Sequence, residues 1–240
     1  MNIILLQPHE IDPDQHEPIW HCADRRAQHI HKVLQPNLGD YLRVGLINGN
    51  MGTGRVLECT PQGVRLQIKL DSPAPKPLPL TLVLALPRPK VLRRVLQSCT
   101  SLGVKQIYLI NSYRVEKSYW QTPYLKPEQI DQQLLLGLEQ GRDCMLPQVH
   151  LRKRFKPFVE DELGQIGQNK RCFIAHPGAE PQLCPSQVEN PSVLAIGPEG
   201  GFIPYEVEKL NQLGFGTISL GPRILKVETA IPALIGRLFL

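Results

Sequence analysis

Three stretches in the last third of the chain carry residue types that could build a ligand pocket: "AHPGAEP" (175–181), "IGPEGGFIP" (196–204) and "LGPRILKVETA" (220–230). Two of them set Gly-Pro directly after an apolar run. A proline fixes φ and removes an N–H donor, while a glycine removes a side chain, so together they make stiff walls with bare backbone facing inward. Phosphate is the first ligand to test. The loops match neither G-x-G-x-x-G after a first strand nor G-x-x-x-x-G-K-[ST], and they hold few cationic donors. A flat, largely neutral adenine suits such walls better than a triphosphate. Each loop taken alone also reads as an ordinary strand-to-helix turn; their clustering favours a pocket.

Side chains beside these loops offer chemistry. Arg223 stays charged and can present its guanidinium fork to a carbonyl edge or a phosphate, or it pairs with a nearby acid as a structural element. Glu228 opens the last helix with Thr229, where a carboxylate is favoured by the helix dipole, so a capping role and a substrate-facing role both stand. Glu199 lies between Pro198 and Gly200, placed either to contact a ligand or to receive backbone N–H groups. Basic clusters come next: Arg25, His29 and Lys32 at helical spacing; Arg88, Lys90, Arg93 and Arg94; and Arg152, Lys153, Arg154 and Lys156. Such groups give phosphate affinity rather than sequence choice. Solvated faces are the alternative, and the third cluster is soon followed by Glu-Asp-Glu (160–162), which can pair with it.

The loops need strands to hold them. From residue 80 onward, apolar strands ("LTLVLALP", "QIYLIN", "QVHL", "RCFIA", "SVLAI", "TISL") alternate with amphipathic helices, starting with Pro89–Gly103 and ending with Val227–Phe239. That pattern predicts an α/β domain with a mostly parallel sheet, whose ligands bind beyond the carboxyl ends of the strands. Before it, "DYLRVGLI", "MGTGRVLECT" and "GVRLQIKL" alternate in part and are punctuated by Gly39, Asn48-Gly49 and Pro61-Gln62-Gly63, which suggests a small barrel preceded by a helix over 25–35. Four prolines between Pro73 and Pro79 read as a linker. The expected division is a β-barrel over 1–72, a linker over 73–79 and the α/β domain over 80–240.

Composition sets bounds. The chain has 240 residues, 42% hydrophobic and 20% charged, with a net charge of +5 that suits a polyanion without proving one. The longest apolar runs are too short to span a bilayer, and no leader segment opens the chain, so it is expected to be cytoplasmic, neither secreted nor anchored. Six cysteines show no C-x-x-C pair and no zinc-like spacing; reduced thiols and no metal are expected.

"IGPEGGF" followed by "LGPRILKVETA" closely resembles the two C-terminal signatures of the RsmE family, SPOUT-superfamily methyltransferases that methylate N3 of a uridine in 16S ribosomal RNA of the small ribosomal subunit. "HIHKVLQPNLGD" (29–40) and "SYRVEK" (112–117) resemble further family segments, so the likeness covers essentially the whole chain. The resemblance implies a PUA-like, RNA-binding barrel followed by a SPOUT domain whose C-terminal segment is threaded into a deep trefoil knot. It implies S-adenosylmethionine bound by Ile196, Gly197, Pro198, Glu199, Gly200, Gly201, Leu220, Gly221, Ile224 and Leu225, with His176, Pro177 and Gly178 as a third wall. Arg223 and Glu228 would then be the catalytic candidates, and Arg114 would reach RNA or a partner's pocket. A homodimer is also implied, and the apolar stripe Ile231, Leu234, Ile235, Leu238 and Phe239 could serve it or simply be core.

The chain departs from the family pattern at Lys226-Val227, where Arg-Thr is usual, at Ser101, at Gln35 and at Arg142. These changes mostly spare the cofactor loops and touch what could be RNA or interface surfaces. Two rivals remain: a non-catalytic RNA-binding or ribosome-assembly protein of the same fold, and a nucleotide-binding enzyme such as a dehydrogenase.

Overall fold

The computed structural model of the chain describes residues 1–12, 17–177 and 182–240. They divide into two compact units, Met1–Lys76 with Leu135–Leu146, and Pro77–Leu134 with Pro147–Leu240.

The first unit is built on a five-stranded sheet in the order β1-β3-β4-β5-β2. Its strands are β1 (Ile4–Leu6), β2 (Ile19–Cys22), β3 (Tyr41–Leu46), β4 (Met51–Thr60) and β5 (Gly63–Ser72). β1 runs parallel to β3, and the other pairs are antiparallel. Period-two patterning decides its faces: Val64, Leu66 and Ile68 are buried, while Arg65 and Lys69 point to solvent. Trp20, Ile4, Val44 and Val56 complete that core, with Ala27 and Ile30 contributed by the helix that follows β2.

That helix departs from the uniform one expected over 25–35. It begins as α1 (Arg25–His29), capped by Asp24, whose side chain accepts from the Arg26 N–H at 2.7 Å. It then widens to a π-helix over Ile30–Leu34 and stops at Gln35, whose φ of 46° is left-handed. The short strands β1 and β2 escaped the sequence pattern because each has too few residues to show a period. At one end of the sheet, the face opposite the core is covered by Leu135–Leu146: Leu138 and Cys144 pack on Ile3, Leu5 and Ile47.

The second unit holds a seven-stranded sheet in the order β10-β12-β9-β11-β6-β7-β8, with every pair parallel. Its strands are β6 (Leu80–Ala85), β7 (Gln106–Ile110), β8 (Gln148–Arg152), β9 (Arg171–Ala175), β10 (Gln182–Leu183), β11 (Ser192–Ile196) and β12 (Gly216–Ser219). The α/β reading therefore stands. β6 and β11 are buried at every position, which is why they read as continuous apolar runs. The helices include α2 (Pro89–Ser101), α3 (Pro127–Gly141), whose residues from 135 on belong to the first unit, a helical stretch over 155–167 comprising α4 (Phe155–Pro157), a π-helix (Phe158–Leu163) and α5 (Gly164–Gly167), then α6 (Pro204–Gln212) and α7 (Val227–Phe239). In α7, Ile231, Leu234, Ile235 and Leu238 are buried within the chain, so these positions of the stripe are core, while Phe239 is half-buried. Among the described residues, no helix is long and apolar enough to cross a membrane.

Candidate functional site

β12, β9 and β11 are neighbours, and their register is level: Ile196 lies opposite Ala175, and Ala175 opposite Ile218. The chain therefore leaves three adjacent strands at one height, and the loops beginning at His176, Gly197 and Leu220 converge. They enclose a cleft of about 320 Å³, within the range of small-molecule sites. Its walls combine apolar side chains (Ile196, Ile218, Leu220, Leu225, Val227, Leu234) with the backbone of the glycine loops.

The glycine loop is shaped first by its own chain. A Cβ on Gly197 would stand 2.8 Å from the Phe202 nitrogen, so the loop can fold back only over a bare Cα. Gly201, at φ 73°, donates its N–H to the Pro198 carbonyl at 2.7 Å and closes the turn. Gly200 makes room for Arg114, whose Cδ would lie 3.0 Å from a Cβ there and whose Nη1 donates to the Gly200 carbonyl. Glu199 accepts from the Arg88 N–H at 3.3 Å and lies 3.9 Å from the Arg88 guanidinium. It thus receives a backbone N–H, one of the two roles its position allowed, while also lining the cleft.

Glu206 holds this arrangement and was missed from sequence. Only 2% exposed, it accepts from the Tyr113 N–H at 2.8 Å and from the Ile203 N–H at 3.0 Å. One carboxylate therefore fixes the loop carrying Arg114 and also caps α6 at the end of the glycine loop. The available signal was Ile203-Pro204-x-Glu206, a proline at the first helical position followed by an acid able to reach back to the cap.

His176 lines the cleft with its Nδ1 buried and without a hydrogen-bond partner. Burial, and secondarily the charge of Arg114, hold its pKa below the ordinary imidazole value. Arg223 also lines the cleft, exposed, and forms no ion pair among the described residues, so the structural-pair reading finds no support there. Pro177, Pro198, Gly221 and Ile224 line it as well, and Ile224 is 83% exposed. Glu228 sits in the first turn of α7 and is not among the lining residues. Gly178 lies outside the described residues.

The basic candidates fare unequally. Arg25 makes a two-pronged hydrogen bond to Glu139, a carboxylate whose side chain is 5% exposed, so part of its charge is committed to structure. Burial, followed by the chain's N-terminal amine, lowers the pKa of His29, while Lys32 is exposed. Arg88, Lys90, Arg93 and Arg94 are exposed at the start of α2, with Arg93 lying over the Tyr124 ring at 5.2 Å. Arg88 occupies the N-cap of α2 beside Glu199, Lys90 lies in its first turn and Arg93 and Arg94 in its second, and cations near a helix N-terminus oppose its dipole and add to its attraction for anions. Arg114 is exposed, lines the cleft and donates to the Gly200 carbonyl of its own chain.

Comparison with known proteins agrees with this geometry. The family described as RNA methyltransferase domain matches residues 74–238. The chain is 29% identical to a ribosomal RNA small subunit methyltransferase E of Treponema pallidum over 96% of this chain and 87% of that one. It is 25% identical to ribosomal RNA small subunit methyltransferase E 1 of Borreliella burgdorferi over 86% of each chain. Among solved structures, a methyltransferase from Legionella pneumophila in complex with S-adenosylmethionine is similar with a TM-score of 0.73 and 26% identity, over 97% of this chain and 95% of that one. A ribosomal RNA small subunit methyltransferase E from Neisseria gonorrhoeae bound to S-adenosylmethionine shares the fold with a TM-score of 0.74 at 20% identity, over 98% and 95% of the two chains.

Proposed function

Because the chain belongs to the RNA methyltransferase domain family, as a member of its RsmE branch, we propose that it is an S-adenosylmethionine-dependent methyltransferase acting on N3 of a uridine in 16S ribosomal RNA. The observation that carries this reading is the cleft formed where three level strand ends release two Gly-Pro loops and His176. Its lining fits an adenosyl cofactor: apolar side chains for the flat base, backbone for its edge, and the unpartnered His176 Nδ1 for one polar atom. Residues 196–201, Leu220, Gly221, Ile224 and Leu225, with His176 and Pro177, would hold the cofactor; Gly178 would extend that wall.

Bound there, S-adenosylmethionine supplies an electrophilic methyl group on a sulfonium centre. The chain's contribution is then positioning, exclusion of water and charge. Forming the N3–methyl bond would break the bond from sulfur to methyl and release the N3 proton to the surrounding solvent, with negative charge growing on O2 and O4 as that proton leaves. Arg223, which lines the cleft and has no ion-pair partner among the described residues, would stabilise that charge. Glu228 is assigned the lesser role, since its place in the first turn of α7 already satisfies the helix dipole. Arg88, Lys90, Arg93, Arg94 and Lys32 bind phosphates, His29 assists as a neutral hydrogen-bonding group, and Arg25 contributes what its pairing with Glu139 leaves. The same proposal includes a PUA-like barrel for the first unit, a knotted C-terminal segment, a homodimer and a cytoplasmic place of action. Family membership and the boundary after Lys76 support that arrangement.

The test is nucleoside mass spectrometry of small-subunit ribosomal RNA from cells lacking the gene, with calorimetry of S-adenosylmethionine binding to the purified chain. The expected result is loss of one N3-methyluridine, restored by the wild type and not by Arg223→Ala, with the cofactor still bound by that variant. Cofactor binding with an unchanged methylation profile would refute the assigned substrate. No binding at all would leave the chain a non-catalytic RNA-binding protein.

A further inference from the structure

The sheet of the first unit has one face packed on its core and a second face of mixed character. At the β1 end, Leu138 and Cys144 cover the second face, so closely that a Cβ on Gly45 would meet Cys144 Cβ at 2.9 Å. Beyond that cover the same face is open and mostly polar; on β2, Ile19 opposite Gln67 is exposed, and Glu17 accepts from the Gln67 Nε2 at 2.9 Å. Two cross-strand rows define it. Tyr41 on β3 lies opposite Arg55 on β4, and Arg55 opposite Gln67 on β5; one step along, Arg43 lies opposite Thr53, and Thr53 opposite Lys69. Directly opposed residues stand about 5 Å apart, and residues two apart on a strand share a face about 7 Å apart.

Tyr41 is 68% exposed, and no ring or cation stacks on it among the described residues. Arg43 and Arg55 are exposed and have no acid or carbonyl partner among the described residues, whereas Lys69 is paired with Asp71 at 3.0 Å. Two guanidinium groups without an acid partner among the described residues thus flank an exposed aromatic ring on the sheet. An aromatic platform takes any base face, and adjacent arginines take the phosphates on either side of it; a duplex cannot use the ring because its bases are already stacked.

We infer that this open sheet face binds a single-stranded segment of RNA, with Tyr41 stacking on a base and Arg43 and Arg55 contacting its phosphates. The inference deepens the RNA-directed function proposed above and rests on it for the class of partner. It adds a contact surface made of residues outside the helical and α2 clusters.

The experiment is fluorescence anisotropy of the full-length chain with a labelled ten-nucleotide uridine-rich oligoribonucleotide and with a duplex of the same length, across a series of KCl concentrations. Tyr41→Ala is expected to weaken single-strand binding by about tenfold and leave its salt slope unchanged, while Tyr41→Phe binds as the wild type does. Arg43→Ala with Arg55→Ala is expected to lower the magnitude of the salt slope by about 1.4, the release of two single-strand contacts. All three substituted positions, Tyr41, Arg43 and Arg55, are at the surface, and thermal melting verifies that each variant is folded. Wild-type affinity in Tyr41→Ala overturns the inference, as does equal weakening of duplex and single-strand binding, which would make the face a nonspecific anion surface. Calorimetry of S-adenosylmethionine binding on the same samples separates the two readings. Intact cofactor binding with a silent Tyr41→Ala removes only the sheet-face contact. Absent cofactor binding with a Tyr41-dependent RNA affinity removes only the methyltransferase reading.

Discussion

Arg114 occupies the space that Gly200 leaves by having no side chain: its stem passes where a Cβ would stand 3.0 Å from Cδ, and its guanidinium donates to the Gly200 carbonyl. The glycines of this loop are therefore not interchangeable. At Gly200 an alanine meets a flexible side chain that can swing aside, whereas at Gly197 it meets backbone, the Phe202 nitrogen at 2.8 Å. Gly197→Ala is expected to weaken S-adenosylmethionine binding by more than about tenfold, whereas Gly200→Ala, where only the Arg114 side chain must move, holds cofactor affinity within about threefold. Calorimetry measures both. Equal effects of the two alanines would contradict this division.

Glu206 offers a second handle on Arg114. Replacing it with alanine leaves the amides of Tyr113 and Ile203 without their buried acceptor, which is expected to cost about 2 to 3 kcal/mol of stability. Urea unfolding reads that cost, and amide hydrogen exchange of Tyr113 should quicken selectively. If Tyr113 exchange is unchanged, the carboxylate does not hold this loop.

His176 makes cofactor binding sensitive to acid. Burial first, and the charge of Arg114 second, place its pKa below 6.5, so the ring is neutral at pH 7. The folded state resists a proton that the unfolded chain accepts, so stability is present above the unfolded value near 6.5 and is lost as the pH falls from there through the folded pKa. Across the same window S-adenosylmethionine affinity is expected to fall, because an imidazolium repels a sulfonium, while S-adenosylhomocysteine, which lacks that charge, changes less. His176→Gln should flatten the difference. Parallel pH profiles for the two ligands in the wild type would argue against it.

Arg25 is expected to act on stability more than on RNA. Its removal strands the Glu139 carboxylate, which has little exposure of its own, although the partly exposed arginine limits the loss to about 1 kcal/mol. Lys32→Ala should do the reverse, leaving the melting temperature unchanged and lowering the salt slope of RNA binding by about 0.7. Melting curves and anisotropy on the two variants distinguish the roles; a stability loss in Lys32→Ala would reverse the assignment.

Much of this protein is determined by sequence alone because the signals are local. Continuous apolar runs such as Leu80–Ala85 and Ser192–Ile196 mark doubly buried strands, and Gly-Pro after Ile196 and Leu220 marks where the backbone must turn stiffly, whatever lies around it. The α/β architecture and the loops of the cleft follow from such signals, and the resemblance carried by those loops points to the family.

Other features depend on strand order and register, which no local pattern specifies. The level alignment of Ile196, Ala175 and Ile218 makes three separate loops one cleft. Glu206 looks like any helix acid until its burial and its bond to Tyr113, 93 residues away, are seen. Arg25 and Glu139 are separated by 114 residues, so their pairing is invisible along the chain, and the apolar stripe of α7 becomes core only because neighbouring elements cover it. The open face bearing Tyr41, Arg43 and Arg55 exists because Leu135–Leu146 covers only one end of its sheet. Local sequence sets backbone preference and face; tertiary packing decides which distant groups meet and which are left free to bind.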